Sequence, residues 1–331
     1  MIQTTIAALC ILAVSASVCS AQIIESVGIR AVGMAGAFVA VASDSTATWW
    51  NPAGLAAGPF VDVNTGRTTT DINDRISARR DRVAWIAASA PPIGFSYYRF
   101  KVTDIRRFDP TAQPLVNRQD TRAEVSLQSL SVSDLGLTLV QSILPGIHVG
   151  ATLKYVRGTV HSAIEDAARG ASALLEEGED LEGGDTSNHF DLDAGVLAVA
   201  GPVRLGAVVR NVREPQFGSF TLTRQPRLGA AVDLEAAGGP PLIVALDADA
   251  RTYNTATGDR RVIAIGAEEW FLARRLGVRG GARFNTVGAR EKGGAAGASV
   301  AVSSGTFVEG EVTRGGSDAE RGWGLGVRVS F

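Results

Sequence analysis

Few residues of this 331-residue chain are of a type and spacing that could do chemistry. The three histidines, His148, His161 and His189, are widely separated and none sits in a metal-ligand pattern. There is no Gly-x-Ser-x-Gly elbow and no phosphate-binding glycine loop. The run Gly322-Trp-Gly-Leu-Gly326 reads as strand rather than as a strand-to-helix turn. The acidic run Glu176–Asp185 carries carboxylates of the kind that bind Ca²⁺, but it reads more simply as a solvated, charged loop. Cys10 and Cys19 both fall in an N-terminal segment expected to be removed, which leaves no disulfide, thiolate metal site or cysteine nucleophile. The expectation is therefore no enzyme, no cofactor and no metal centre. A net charge of −2 also argues against a nucleic-acid partner.

A second group of residues suggests packing and gating. Between Gly28 and Leu55 the chain combines Gly28, Arg30, Gly33 and Gly36 with Asp44, the pair Trp49 and Trp50, and the run Asn51, Pro52, Ala53 and Gly54. Gly33 and Gly36 allow close backbone approach. Asp44 or Ser45 is placed to cap a short helix carrying the two tryptophans. Pro52 ends that helix, because the residue before a proline resists the helical conformation, and Gly54 suits the turn that follows. The segment reads as a compact apolar plug.

The elements around this plug are strands. From about Phe60 onward, short alternating segments are separated by turn residues. Val149, Ala151, Leu153 and Tyr155 share one face while His148, Gly150, Thr152 and Lys154 share the other. Leu205, Ala207 and Val209 oppose Arg204, Gly206 and Arg210; Leu242, Val244, Leu246 and Ala248 oppose Asp247, Asp249 and Arg251. Phe190–Ala200 and Leu276–Phe284 repeat the pattern. Many such strands with no helical layer between them, behind an export signal, favour a membrane barrel that is apolar outside and polar or glycine-lined inside. Arg and Asp on the polar faces would then pair across the lumen. About fourteen strands are expected, an even number. Leu144-Pro145-Gly146, Gly201-Pro202 and Gly238-Gly239-Pro240 read as tight turns of periplasmic type.

The expected division is 1–21 as a signal peptide, 22–58 as an N-terminal hatch and 59–331 as an outer-membrane β-barrel. The signal peptide has an apolar core from Ile6 to Val18 followed by small residues. Residues 158–188 are expected to form an acidic loop with a short amphipathic helix. In the last strand Trp323, Leu325, Val327, Val329 and Phe331 share one face, the pattern of a C-terminal signal read by the barrel-assembly machinery. The fold class expected is all-β: a transmembrane antiparallel barrel with a small hatch in its lumen, bounded by outer-membrane lipid.

The block from Gly28 to Leu55 resembles the N-terminal signature of the FadL-like superfamily of outer-membrane transport proteins, and most closely its shorter PorV/PorQ-like branch. There a Gly-x-Arg-Ala-x-Gly-Met-x-Gly-Ala segment leads to an acidic residue and then to Asn-Pro-Ala-Gly-Leu, all present here. The resemblance implies a 14-stranded barrel whose first mature residues fold inward as a hatch, with Asn51, Pro52 and Ala53 as its Asn-Pro-Ala element. It implies passive transport of small hydrophobic solutes across the outer membrane. The alternative it leaves open is a PorV-like partner of secretion-system proteins.

Overall fold

The computed structural model describes residues 20–73, 78–107, 124–166, 170–181, 183–255, 258–316 and 320–331. Fourteen antiparallel strands close into a barrel. They are β1 (Asp62–Asn73), β2 (Ala78–Ala90), β3 (Ile93–Arg107), β4 (Glu124–Leu144), β5 (Ile147–Asp166), β6 (Asp185–Ala200) and β7 (Val203–Arg210). The circuit continues through β8 (Gln225–Asp233), β9 (Leu242–Asp249), β10 (Val262–Phe271), β11 (Leu276–Asn285), β12 (Lys292–Ser303), β13 (Thr306–Gly315) and β14 (Glu320–Ser330). Pairing of β14 with β1, from Glu320↔Ile72 to Ser330↔Asp62, closes the ring, so the barrel sheet itself has no free edge facing lipid.

Alternation decides which face meets what. Leu135, Leu137 and Leu139 are exposed on the outside of β4, while the alternating Val132, Asp134, Gly136 and Thr138 are buried within. Leu153 and Tyr155 on β5, and Trp323, Leu325 and Val327 on β14, likewise face out. An apolar exterior on strands of this length is the pattern of a lipid-facing wall. Among the described residues no helix is long and apolar enough to cross a membrane.

The wall is uneven. β4 and β5 have 21 and 20 residues, whereas β7 and β9 have 8 each. This corrects the acidic loop expected over 158–188. Strand β5 runs on to Asp166 and β6 begins at Asp185, with helix α3 (Ala171–Glu179) between them. Both strands outrun the apolar band there, so their outer faces need no greasy side chains and the alternation loses its contrast. Pairing of Ser162 and Ala163 with Gln128 and Leu127 keeps the segment extended. Helix α3 does not hang over the mouth. Its Leu174 and Leu175 pack with Ala78, Ile105, Val125 and Leu127 of the tall wall.

The signal-peptide segment lies almost entirely outside the described residues. Ser20–Gln22 pairs in parallel with Phe220–Leu222 and touches Tyr253–Thr255. Together with Gln216–Phe217 and Gly258–Arg260 these form a five-stranded sheet at the barrel end opposite Phe331.

Candidate functional site

The lumen is filled by residues 27–55, all buried except Ser43. Three short helical pieces shape this plug: α1 (Ile29–Gly33), α2 (Ala47–Trp50) and a 3₁₀ turn over Pro52–Ala57. Helix α2 starts at Ala47, so Thr46 stands at its cap position in place of Asp44 or Ser45. Asp44 accepts hydrogen bonds from the Thr46 backbone and hydroxyl, and Ser45 is taken by Asp62 instead. Pro52 opens the 3₁₀ turn, and the Asn51 side chain caps it by accepting from Ala53 N at 3.2 Å.

Lumen-facing glycines of the wall let the plug sit directly on the sheet. A Cβ on Gly206 would lie 2.7 Å from the Val39 carbonyl, and one on Gly266 would lie 2.6 Å from that of Met34. Gly150 and Gly195 face Pro52 and Asn51 in the same way. Much of the chain's glycine is thus spent on close approach between wall and plug. Within the plug, Gly28 and Gly36 adopt positive φ, at 77° and 84°. Gly33 packs on Arg279, and a Cβ at Gly54 would collide with the Ala42 carbonyl.

Two chemically different sides hold this plug. On the β8–β11 side the contacts are ionic. Arg30 forks onto Glu268 at 2.6–2.9 Å and also reaches Ser43 at 2.9 Å and Asp44 at 3.5 Å. Arg279 approaches Glu268 at 3.5 Å. Asp247 accepts from the backbone N–H groups of Phe38 and Val39, both at 2.9 Å. Arg227 pairs with Glu25 and donates to the Gly36 carbonyl at 3.2 Å. Burial would raise the Glu25 carboxyl, but Arg260 and Arg227 beside it hold it well below the usual carboxylate range. The Arg30 guanidinium loses solvation too, yet Glu268 raises it above its ordinary value. Charge-assisted, bidentate contacts of this kind are the strong ones in a buried setting.

On the β2–β5 side the contacts are aromatic and apolar apart from neutral hydrogen bonds at Thr48, whose hydroxyl meets that of Tyr98 at 2.7 Å and whose carbonyl accepts from Thr152 at 3.2 Å. Trp49 lies 5.3 Å from the Tyr98 ring and 4.9 Å from that of Phe100. Val83, Val102, Leu130, Val132 and Val156 continue the apolar surface inside the tall wall. Phe217, Phe220 and Leu222, from the loop between β7 and β8, cover it. Phe217 sits against Gly158, and its ring meets His189 edge-on at 5.1 Å. The two tryptophans differ in their bonds. Trp50 donates its indole N–H to the Val27 carbonyl at 2.8 Å, whereas the buried Trp49 N–H has no hydrogen-bond partner among the described residues. Between the two sides the Arg210 guanidinium lies over both rings, at 5.1 and 5.3 Å. Lys154 sits 5.9 Å from Trp49 and pairs with Asp193 and Asp191 at 2.7 and 3.0 Å.

All eleven hatch residues singled out from sequence therefore meet in one body inside the barrel. Their partners Glu268, Arg227, Tyr98, Phe100 and Phe217 were not foreseen. Arg and Asp of the polar faces do not bridge an open lumen; several of them bind the plug. Trp323, Leu325 and Val327 lie on the outside of β14, and Phe331 exchanges backbone hydrogen bonds with Val61 at 2.9 and 3.1 Å. Among the described residues no group of three or more His, Cys, Asp or Glu could hold a metal ion. At the end opposite Phe331 a polar cavity of about 140 Å³ remains, lined by Glu25, Arg79, Asp81, Arg260, Arg283 and Glu320 among others.

The family model described as "F plasmid transfer operon, TraF, protein" matches residues 48–264, from the plug into β10. The chain belongs to this family. The sequence reading did not anticipate that name. Solved structures share the fold. The toluene transporter TbuX of Ralstonia pickettii aligns over 93% of this chain and 99% of its own, with a TM-score of 0.64 and 14% identity. The monoaromatic hydrocarbon channel CymD aligns over 92% and 97%, with 0.61 and 12%. The toluene transporter TodX of P. putida aligns over 93% and 99%, with 0.58 and 12%. No curated protein matches the chain in sequence. At such identities the likeness is one of fold, and in fold the FadL-like resemblance holds.

Proposed function

We propose that this barrel is a passive channel for small hydrophobic solutes in the bacterial outer membrane, gated by the plug. The observation that carries this reading is the apolar strip inside β2–β5, from Val102 and Leu130 past Phe100 to Trp49, packed against Phe217, Phe220 and Leu222. A hydrophobic solute can replace apolar contacts there without breaking a charged hydrogen bond. On the ionic side any passage would strip Arg30 or Arg227 of its partner, which costs several kcal/mol. The solute enters at the mouth opposite Phe331, displaces Phe217 and Trp49, and leaves as the Asn51–Ala53 element shifts. That the structurally similar TbuX and TodX are described as toluene transporters supports the hydrophobic class of cargo. Neither the plug geometry nor the comparisons favour the secretion-partner alternative.

The test is uptake of radiolabelled toluene by cells displaying the barrel in a lipopolysaccharide outer membrane. Val132→Asp places a charge in the strip. It should abolish the uptake gained over cells lacking the barrel, while the protein still shows the heat-modifiable gel mobility of a folded barrel. Undiminished uptake through folded Val132→Asp would refute the route.

A further inference from the structure

Cross-strand register places a basic row on the outside of the tall wall. Arg67, Ala84, Arg99, Ser133 and Arg157 are successive partners across β1 to β5, and all five side chains point outward by alternation. The adjacent row toward Phe331 reads Thr65, Ile86, Tyr97, Leu135 and Tyr155, which belongs to the apolar band. The row beyond, toward α3, reads Thr69, Arg82, Lys101, Ser131 and Thr159. Five cations thus stand within two rows of the edge of the lipid-facing surface.

These cations are not equally occupied. Helix α3 takes two of them: the Glu179 carboxylate pairs with Arg82, and its backbone carbonyl accepts from Lys101. Arg67 lies over the Trp323 ring at 5.4 Å, an arrangement suited to the headgroup level of a bilayer. Arg99 and Arg157 are exposed and, among the described residues, have neither an ion pair nor a side-chain hydrogen bond. Two cations without counter-charge, fixed at the rim of an apolar band, call for an anion at that depth.

We propose that Arg67, Arg99 and Arg157 form a docking site for a phosphorylated glycolipid headgroup of the outer leaflet. Arginine matches phosphate with paired, parallel hydrogen bonds. Arg67 and Arg157 are four strand spacings apart, roughly 19 Å, which favours a broad headgroup carrying two phosphates over one small phosphodiester. The acyl chains of such a lipid would lie on Ile86, Tyr97, Leu135 and Tyr155 just below. The site anchors the tall wall, and with it α3, to the leaflet that faces outward. This inference rests on the reading of the molecule as an outer-membrane barrel.

The experiment compares wild type, Arg99→Gln/Arg157→Gln and a charge-matched control, Arg274→Gln/Arg275→Gln, in the tight turn between β10 and β11 at the Phe331 end. Each is folded into neutral vesicles and titrated with bisphosphorylated lipid A, or with phosphatidylglycerol, by native mass spectrometry of retained lipid. Wild type and control should retain lipid A in preference to phosphatidylglycerol, and the Arg99/Arg157 variant should bind lipid A about tenfold more weakly. Equal lipid A retention by all three folded proteins would overturn the site. Equal retention of phosphatidylglycerol by wild type would overturn the assignment to a doubly phosphorylated glycolipid. Failure of the wild type to insert into vesicles would instead overturn the membrane reading beneath both.

Discussion

The two sides of the plug are built from different interactions, and under the proposed route the difference decides which one yields. On the β8–β11 side, Arg30, Arg227 and Asp247 each make directional contacts that nothing apolar can replace. On the β2–β5 side, Trp49 rests on Tyr98 and Phe100 with its indole N–H unpaired. Apolar packing is non-directional, so a solute that fills the same volume can substitute for it. Under the proposed route such a plug acts as a hinge, charged on one flank and exchangeable on the other.

The largest break in this comparison comes from the charged flank. Glu268→Ala removes the forked partner of Arg30 and leaves buried Arg30 and Arg279 only the more distant Asp44 and Glu309, at 3.5 and 3.7 Å, a loss of about 3 kcal/mol. Barrels carrying it should lose heat-modifiable mobility at a lower temperature and leak ions in planar bilayers. Phe217→Ala, on the apolar flank, should cost about 3 kcal/mol and act differently, speeding toluene uptake without an ion leak. An ion leak from both variants alike would erase the distinction. Gly206→Ala forces a methyl group toward the Val39 carbonyl, an overpacking cost of about 2 kcal/mol, which should appear as lowered thermal stability with unchanged strand content by circular dichroism. The smallest effect concerns pH. Glu25 has a folded pKa below its ordinary 4.5, so the stability it confers is complete above that value and is lost as pH falls through the folded one. Thermal midpoints of wild type and Glu25→Gln should therefore differ by the same amount at pH 7 and pH 5.5, and converge only in stronger acid.

Much of this architecture was legible in the sequence because alternation in a strand reports the environment of each face directly. Leu153 and Tyr155 against Thr152 and Lys154 sufficed to assign lipid and lumen. The plug was legible because its residue types, the Trp pair before Asn51 and Pro52, are local. What alternation cannot give is distance around the ring. It places Asp247 and Arg279 in the lumen but not against Phe38 or Glu268, because those meetings depend on barrel closure and on the path of the plug. Nor does it report the height of the wall. Beyond the apolar band the outward face of β5 turns polar (Arg157, Thr159, His161) while Val156 and Val160 face inward, so the apolar-out pattern is lost and the extension to Asp166 reads as loop. The docking of α3 onto Ile105 and Leu127 was hidden for the same reason.

The central claim is that the aromatic flank yields during passage and the ionic flank does not. It is tested most directly by tethering each flank in turn. On the aromatic flank a Cβ at Gly94 would lie 3.0 Å from the Thr48 Cγ2, and on the ionic flank one at Gly266 would lie 2.8 Å from the Met34 Cβ and 2.6 Å from its carbonyl oxygen. Each pair is within disulfide reach once the plug shifts, and the reduced form of each variant is the reference for its oxidised form. The account predicts that oxidised Thr48→Cys/Gly94→Cys blocks toluene uptake and that reductant restores it. It predicts that oxidised Met34→Cys/Gly266→Cys takes up toluene as fast as its own reduced form. Uptake that survives the first tether, or fails with the second, would contradict it.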